Sequence, residues 1–424
     1  MNRKIFYIVI FSLIAVLAVR MAQSTHKASK YINGQSVTVD GFLLTEPSIS
    51  ENRQRFFMTD QDGTRVTIVV PLFPAFRYGD YLHVSGKVNV RVLDNEQTVN
   101  AIYFPTVEAG NLKENNGFFL TKMMLAWSSA FRDHFSHLFR VALPPQEANL
   151  LMGIVLGVKQ DLSEKLTQDL RSGGVFHVVA ASGMNVSLVA SFFTVLFASL
   201  WRRQVVLVVT ILGIWFYAAV SGFQPSIVRA SIMSTVVFLS QVLGRQSMPA
   251  YSLSLTAVIM LIVSPVLIGD VGFQLSFAST LGLQLLQPLQ RVRFFKKFGS
   301  VGADVTTTVS AQLATLPILL ANFGTYSLWS VLLNGLVLWT IPPLMIFGGV
   351  AGLIGFATPL IGQFIVYLCI PFLWYFQMVV TLFGRFTSPI HIDSVSTASI
   401  IGYYLILLGF IIWLRKRSYE ESDS

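Results

Sequence analysis

Residues 176–186 read FHVVAASGMNV: His177, the pair Ser182-Gly183 and Asn185 stand in the first third of an apolar run that continues to Trp201. A run of this length reads as a membrane-crossing helix, and polar groups inside one face protein or a water-filled cavity, not lipid. The stretch predicts a polar path through a membrane.

Composition agrees with that setting. Of 424 residues, 53% are hydrophobic and 12% charged, with a mean hydropathy of +0.63, beyond what a soluble domain needs to fill its core. The formal charge of +9 has two readings: attraction to an anionic partner such as nucleic acid, or the basic cytoplasmic loops that orient membrane proteins. Cys369 is the only cysteine, so neither an internal disulfide nor a cysteine-based zinc site is possible.

Outward from the opening stretch, the chain divides into five parts. Residues 1–23, with Arg3 and Lys4 before the apolar Ile5 to Val19, predict an uncleaved membrane anchor. Residues 31–107 carry five short alternating segments, Val37–Leu44, Arg55–Thr59, Arg65–Val70, Tyr81–Val92 and Thr98–Phe104, separated by turn residues. They predict a small barrel of OB type, in which Arg53, Arg55, Phe57, Lys87 and Arg91 supply either a nucleic-acid face or an ordinary solvated one. Residues 117–143 place Met124, Trp127, Phe131, Phe135 and Leu138 at helical spacing, as in an amphipathic helix lying in the membrane interface.

Residues 146–414 hold nine further apolar runs, from Val175–Leu200 to Ser396–Leu414. With the anchor they make about ten crossings near bilayer length. A cytoplasmic amino end then puts Arg202-Arg203, Arg245, the cluster Arg291, Arg293, Lys296 and Lys297, and the tail 415–424 with Arg415-Lys416-Arg417 all in the cytoplasm. The expected fold is a polytopic α-helical membrane protein of about ten crossings with an extracytoplasmic OB-like barrel near its amino end.

That topology sets several polar groups at similar depth. His177, Arg229 and Asp270 with Gln274 open helices on the outer side, and Ser182 and Asn185 lie about 7 to 12 Å further in at the helical rise. Gly173-Gly174 and Ser182-Gly183 interrupt their helices, and a broken helix in a membrane presents free N–H groups that attract anions such as phosphate. Asp270 is the nearest carboxylate to Arg229 by topology, so the two either pair to fix the packing or contact a ligand. Gln312, in SAQLATLP at 310–317, either lines the pore or serves helix packing.

At these residues the sequence resembles the ComEC family of bacterial competence proteins. The resemblance rests on FHVVAASGMNV at 176–186, GFQPSIVRASIM at 222–233, SPVLIGDVGFQLSFASTLGL at 264–283, SAQLATLPILLANFGTYSLWSVLLNG at 310–335, and YGDYLHVSGKV at 78–88 in the OB-like segment. It implies a channel in the cytoplasmic membrane that takes single-stranded DNA inward, with membrane lipid around it and a DNA receptor, a separate nuclease and a cytoplasmic helicase-like motor as partners. Two departures stand out: Asn185 replaces a histidine common in the family, and the sequence ends short of the metallo-β-lactamase-like domain many members carry, making it a short form. Its histidines, His26, His83, His134, His137, His177 and His391, form no HxHxDH cluster, and no GxxxxGK[ST] motif is present. Neither a metal, a cofactor nor an enzymatic activity is expected. Two other classes stay open: a transporter of a small anion or lipid, and an intramembrane hydrolase with Ser182 as nucleophile and His177 or Asp270 as base.

Overall fold

Strict alternation builds the amino-terminal domain. In β3 (Arg53–Thr59) the side chains of Gln54, Phe56 and Met58 are buried while Arg53 and Arg55 are exposed and Phe57 half-buried, the period-two pattern of a sheet with one wet face. The computed structural model describes residues 31–420 apart from 44–46, 51–52, 60–64, 77–79, 93–97, 110–118, 158–161, 180–181, 245–248, 288, 290–298, 328, 387–389 and 392–395. The expected anchor at 1–23, Arg245, the cluster Arg291, Arg293, Lys296 and Lys297, and the last four residues of the tail lie outside the described residues.

The five expected strands form, joined by two short ones, β2 (Ser48–Ser50) and β7 (Thr106–Ala109). The long β5 (Tyr81–Val92) organises the sheet. Its first half pairs with β1 (Ser36–Phe42), its second half with β6 (Thr98–Tyr103), and Leu82 to Ser85 also pair with β7. At the handover a Cβ on Gly86 would lie 2.5 Å from Ile102 Cγ2, so only glycine lets the strands approach this closely. β4 (Arg65–Pro71) runs antiparallel to β3 and parallel to β6, giving the order β1-β5-β6-β4-β3-β2. The sheet curls around Val39, Phe56, Ile68, Val84, Val88 and Ile102 as a half-barrel. Among the described residues no hydrogen-bonded ladder joins β1 to β3 to close it.

The rest is helical. The helix expected at 117–143 forms as α1 (Phe119–Ala142). Its inner face enters the helical core: Phe135, Leu138 and Phe139 are buried, and Phe131 stacks on Phe135 at 4.5 Å. α2 (Pro145–Leu156) starts with proline at its first position and ends on Gly157 at φ 74; all its residues from Leu150 to Leu156 are buried. Twelve residues span about 18 Å, so α2 is a short helix wrapped by others.

The following elements are α3 (Glu164–Ser172), α4 (Phe176–Val179), α5 (Gly183–Ala198), α6 (Arg203–Val220) and α7 (Pro225–Val242). Then come α8 (Pro249–Val263), α9 (Val271–Leu285), α10 (Gly299–Phe323), α11 (Ser330–Val337) and α12 (Ile341–Gly355). α13 (Pro359–Tyr367), α14 (Ile370–Phe386) and α15 (Thr397–Glu420) complete the body, with a small antiparallel bridge between β8 (Thr325–Tyr326) and β9 (Ile390–His391).

One core joins α1, α2, α5, α6, α7, α11, α12 and α14. Outside it, Leu212, Leu360, Phe364, Trp374, Leu405 and Ile406 are all more than half exposed. An exterior this apolar requires lipid tails as its solvent, and the chain is a membrane protein. Four helices among the described residues are long and apolar enough to cross a bilayer, or five if α13 and α14, bent by 40°, count as one. Several of the other apolar runs among the described residues form helices that are shorter than the run or bent within it. The run at 250–268 ends its α-helix at Val263 and continues as a 3₁₀ segment, Pro265–Gly269, and the run at 354–383 breaks between Tyr367 and Ile370.

Candidate functional site

The break predicted at Ser182-Gly183 is present. α4 ends at Val179, Ser182 is extended (φ −117, ψ 174), and α5 begins at Gly183. What holds the break is Asn185. Its Nδ2 donates to Ile154 O near the end of α2 at 2.9 Å and to Tyr217 Oη on α6 at 3.3 Å, while its Oδ1 accepts from Ser182 Oγ at 3.3 Å. Asn185 is fully buried, so its amide ties three helices and does not line an open path. Both ends of the carboxamide are engaged inside the protein, so the geometry gives Asn185 the part of a tie between helices at this break.

α7 starts beside the same helix end. Gln224 Nε2 donates to Gly157 O at 2.8 Å, and Pro225 occupies the first helical position, where its missing N–H costs nothing. One turn further, Arg229 is buried at 8% exposure. Its Nη1 donates to Thr280 Oγ1 on α9 and contacts Met233 Sδ at 3.7 Å, and the guanidinium lies 5.8 Å from the Phe277 ring centroid. Nε has no partner. Nη2 lies against α5: a Cβ on Gly183 would sit 3.3 Å from it.

Asp270 does not pair with Arg229. Its Oδ1 accepts from Phe273 N at 2.8 Å, capping α9, which is what an aspartate preceding a helix does when its backbone is extended. Gln274 closes the same turn on Ile268 O at 2.8 Å. Gln312 belongs to another cluster. Its Nε2 donates to Ser330 Oγ at 2.6 Å and its Oε1 accepts from Tyr326 Oη at 2.8 Å, joining α10, α11 and β8. That cluster abuts the turn before α4, since a Cβ on Gly174 (φ 70) would lie 2.6 Å from Ser330 Cβ. Asn334 on α11 is buried with Oδ1 unpartnered among the described residues. Polar groups therefore flank the broken helix on both sides, and His177 between them keeps an accessible side chain.

Ser182 Oγ donates to Asn185 and makes no hydrogen bond to His177 or Asp270, so the hydrolase constellation is not assembled. His134 stacks on Phe356 at 3.7 Å between ring centroids and its Nε2 lies 3.2 Å from Gly352 O. No group of metal-ligating side chains forms among the described residues.

In the sheet domain, Arg53, Arg55 and Phe57 share the outward face of β3. Arg53 stands over Phe104 at 5.3 Å from the ring centroid, an aromatic the sequence did not single out, and Phe73 is exposed nearby in sequence to Pro71, the partner of Arg53. Lys87 is exposed on β5, separated from β3 by the two strands β6 and β4, so it does not extend that stripe. The side chain of Arg91 lies outside the described residues. Gln54 fixes the rim beside this face: Nε2 donates to Pro71 O, Leu72 O and Pro74 O at 2.9, 2.9 and 2.8 Å, and Oε1 accepts from Phe76 N at 3.0 Å.

Thr280, Phe277 and Tyr217 were missed as site residues. A helical reading of 273–280 offers the signal, since Phe273, Phe277 and Thr280 recur at four- and three-residue spacing. Tyr217, an interior tyrosine in an apolar run, gave none.

The sequence profile of the family described as Competence protein matches residues 154–417, which contain all three helix ends of this junction. The chain belongs to the ComEC family of competence proteins. It is also similar to ComE operon protein 3 of Bacillus subtilis (strain 168), with 27% identity over 227 residues, covering 53% of this chain and 29% of that protein. The chain thus matches under a third of the length of that relative. No solved structure matches. The family segment contains the broken helix but not the curled sheet.

Proposed function

We propose that the chain is a conduit in the cytoplasmic membrane through which single-stranded DNA enters the cell during natural transformation. The observation that carries this reading is the family match over 154–417, whose segment contains a membrane helix broken at Ser182 and flanked by polar clusters. Broken helices place polar backbone at membrane depth only where it is buried or lines a cavity. On this reading both chain ends are cytoplasmic, the crossings number about ten once short and bent helices are included, and the curled sheet lies outside. The order β1-β5-β6-β4-β3 with its one parallel pair supports an OB-like assignment for 31–107, and Arg53, Arg55, Phe57 and Phe104 suit stacking and phosphate contact with a single strand. Receptor, nuclease and motor functions belong to partners.

The test is transformation of a naturally competent host from which this chain is deleted, with and without a plasmid copy. Loss of transformants and of DNase-resistant labelled DNA, both restored by the copy, is the expected outcome. Undiminished transformation in the deletion strain refutes the reading.

A lipid or small-anion transporter is the second reading. It is favoured by a cavity of about 150 Å³ between α1, α5, α6 and α12, lined by Phe131, Phe192, Phe216, Tyr217 and Met345 among others. That lining suits an acyl chain and not a nucleotide.

A further inference from the structure

We infer that the amino end of α5 and the guanidinium of Arg229 together bind one phosphodiester group of the passing strand. The inference rests on the DNA-path reading above and gives that path a defined anionic subsite.

Three observations converge. First, α5 is a 16-residue helix whose N-cap residue does not cap it: the Ser182 hydroxyl is turned to Asn185 Oδ1. The first N–H groups of a helix have no acceptor within it, and such an end carries roughly half a positive charge. Second, Arg229 is more than nine-tenths buried, with Nε unpartnered, and directs Nη2 at Gly183. Its anchors are a hydroxyl and a thioether, both neutral, and the nearest carboxylate expected for it, Asp270, caps another helix. A buried cation facing a positive helix end without a counter-charge is unfavourable unless an anion joins them. Third, Gly183 carries no side chain, and Ser182, Gly183 and Met184 are half-buried, so an incoming oxygen can reach both the N–H groups and Nη2.

A phosphodiester fits this arrangement. It brings one negative charge and two free oxygens, one for the helix end and one for the guanidinium fork. Thr280 holds Nη1 from α9, so the fork is oriented before the ligand arrives. With Arg229 as its cation, the subsite favours entry while still permitting release, as conduction through a path requires.

The experiment uses the full chain in phosphatidylcholine nanodiscs, with fluorescent dT15 and its uncharged methylphosphonate counterpart as probes. Arg229→Gln is expected to weaken dT15 binding about ten- to hundredfold, the range of a charge-assisted hydrogen bond, and to lower the salt slope of binding by about 0.7. Arg229→Lys falls between. Thr280→Val keeps the packing but frees the fork, and Gly183→Ala puts a methyl 3.3 Å from Nη2; each weakens dT15 several-fold while the methylphosphonate probe is unaffected. These two milder variants carry the test if Arg229→Gln does not fold. Wild-type affinity and salt slope in folded Arg229→Gln or Thr280→Val overturn the inference. So does displacement of dT15 by added phosphatidylglycerol through the same residues, which assigns the subsite to a lipid headgroup. Either result leaves the DNA-path reading standing, because that reading fails on a different outcome, normal transformation without the chain.

Discussion

Replacing Asn185 by leucine removes the knot that fixes the break before α5 while nearly preserving side-chain volume. Three hydrogen bonds are lost, to Ile154 O, to Tyr217 Oη and from Ser182 Oγ. At about 0.6 kcal/mol each, the average between membrane helices, the loss is roughly 2 kcal/mol. Leaving Ile154 O buried without a donor raises it to about 3 to 5 kcal/mol, since an orphaned buried acceptor costs about 1 to 3 kcal/mol. The unfolding equilibrium constant should therefore rise roughly a hundred- to a few-thousandfold. The assay is equilibrium unfolding of the purified chain in mixed micelles by rising sodium dodecyl sulfate, followed by far-ultraviolet circular dichroism. Asn185→His, which restores the residue the family resemblance puts here, keeps one ring N–H for Ile154 O and should lose less than half as much. Stability of Asn185→Leu within about 0.5 kcal/mol of the parent would refute the reasoning, because bonds that matter to the fold cannot be removed at that cost.

Other changes give separate tests. Gly352→Val places a side chain where the Phe135 ring already stands, 2.0 Å from the Cβ position; folded protein in the membrane should fall several-fold, as an overpacked core site predicts, and Phe135→Leu in the same chain should restore part of it, both read by immunoblot of membranes. Gln54→Leu removes all four bonds that hold Pro71 to Phe76, so chymotrypsin should cut beside the exposed Phe73 at least ten times faster than in the parent, an opening cost of about 1.4 kcal/mol or more. Arg53→Ala breaks the contact with Phe104 and should weaken single-stranded DNA binding about three- to tenfold, whereas Lys87→Ala should change it less than twofold; fluorescence anisotropy with dT15 measures both.

Periodicity carried the sheet. The five strands with a repeated inward set were legible, because alternation over six or more residues has a physical cause in one buried face. β2 and β7, three and four residues long, are too short to show a period. The break at Ser182-Gly183 was legible from residue type alone, as was the stop at Gly174. What surrounds the break was not. Asn185 meets Ile154 and Tyr217 across 31 and 32 residues, and no local pattern encodes such a meeting. For Arg229 the sequence offered either a pair with Asp270 or a ligand contact, and the pair does not form because a local acceptor role at the start of α9 captures Asp270. That role had a signature in Gly269-Asp270 directly before an apolar helix. The crossing count followed run length, and several apolar stretches hold helices that end, bend or turn 3₁₀ before the run does.

The central claim is that a DNA strand passes the broken helix, and the most direct measurement is photo-crosslinking during uptake. A photoreactive amino acid replaces Met184 at the start of α5 or, as a control, the lipid-facing Leu405, 63% exposed on α15, in competent cells taking up labelled DNA. The account predicts single-stranded DNA adducts at position 184 and none at 405. Absence of adducts at 184 in cells that still transform, or equal labelling at both positions, would contradict it.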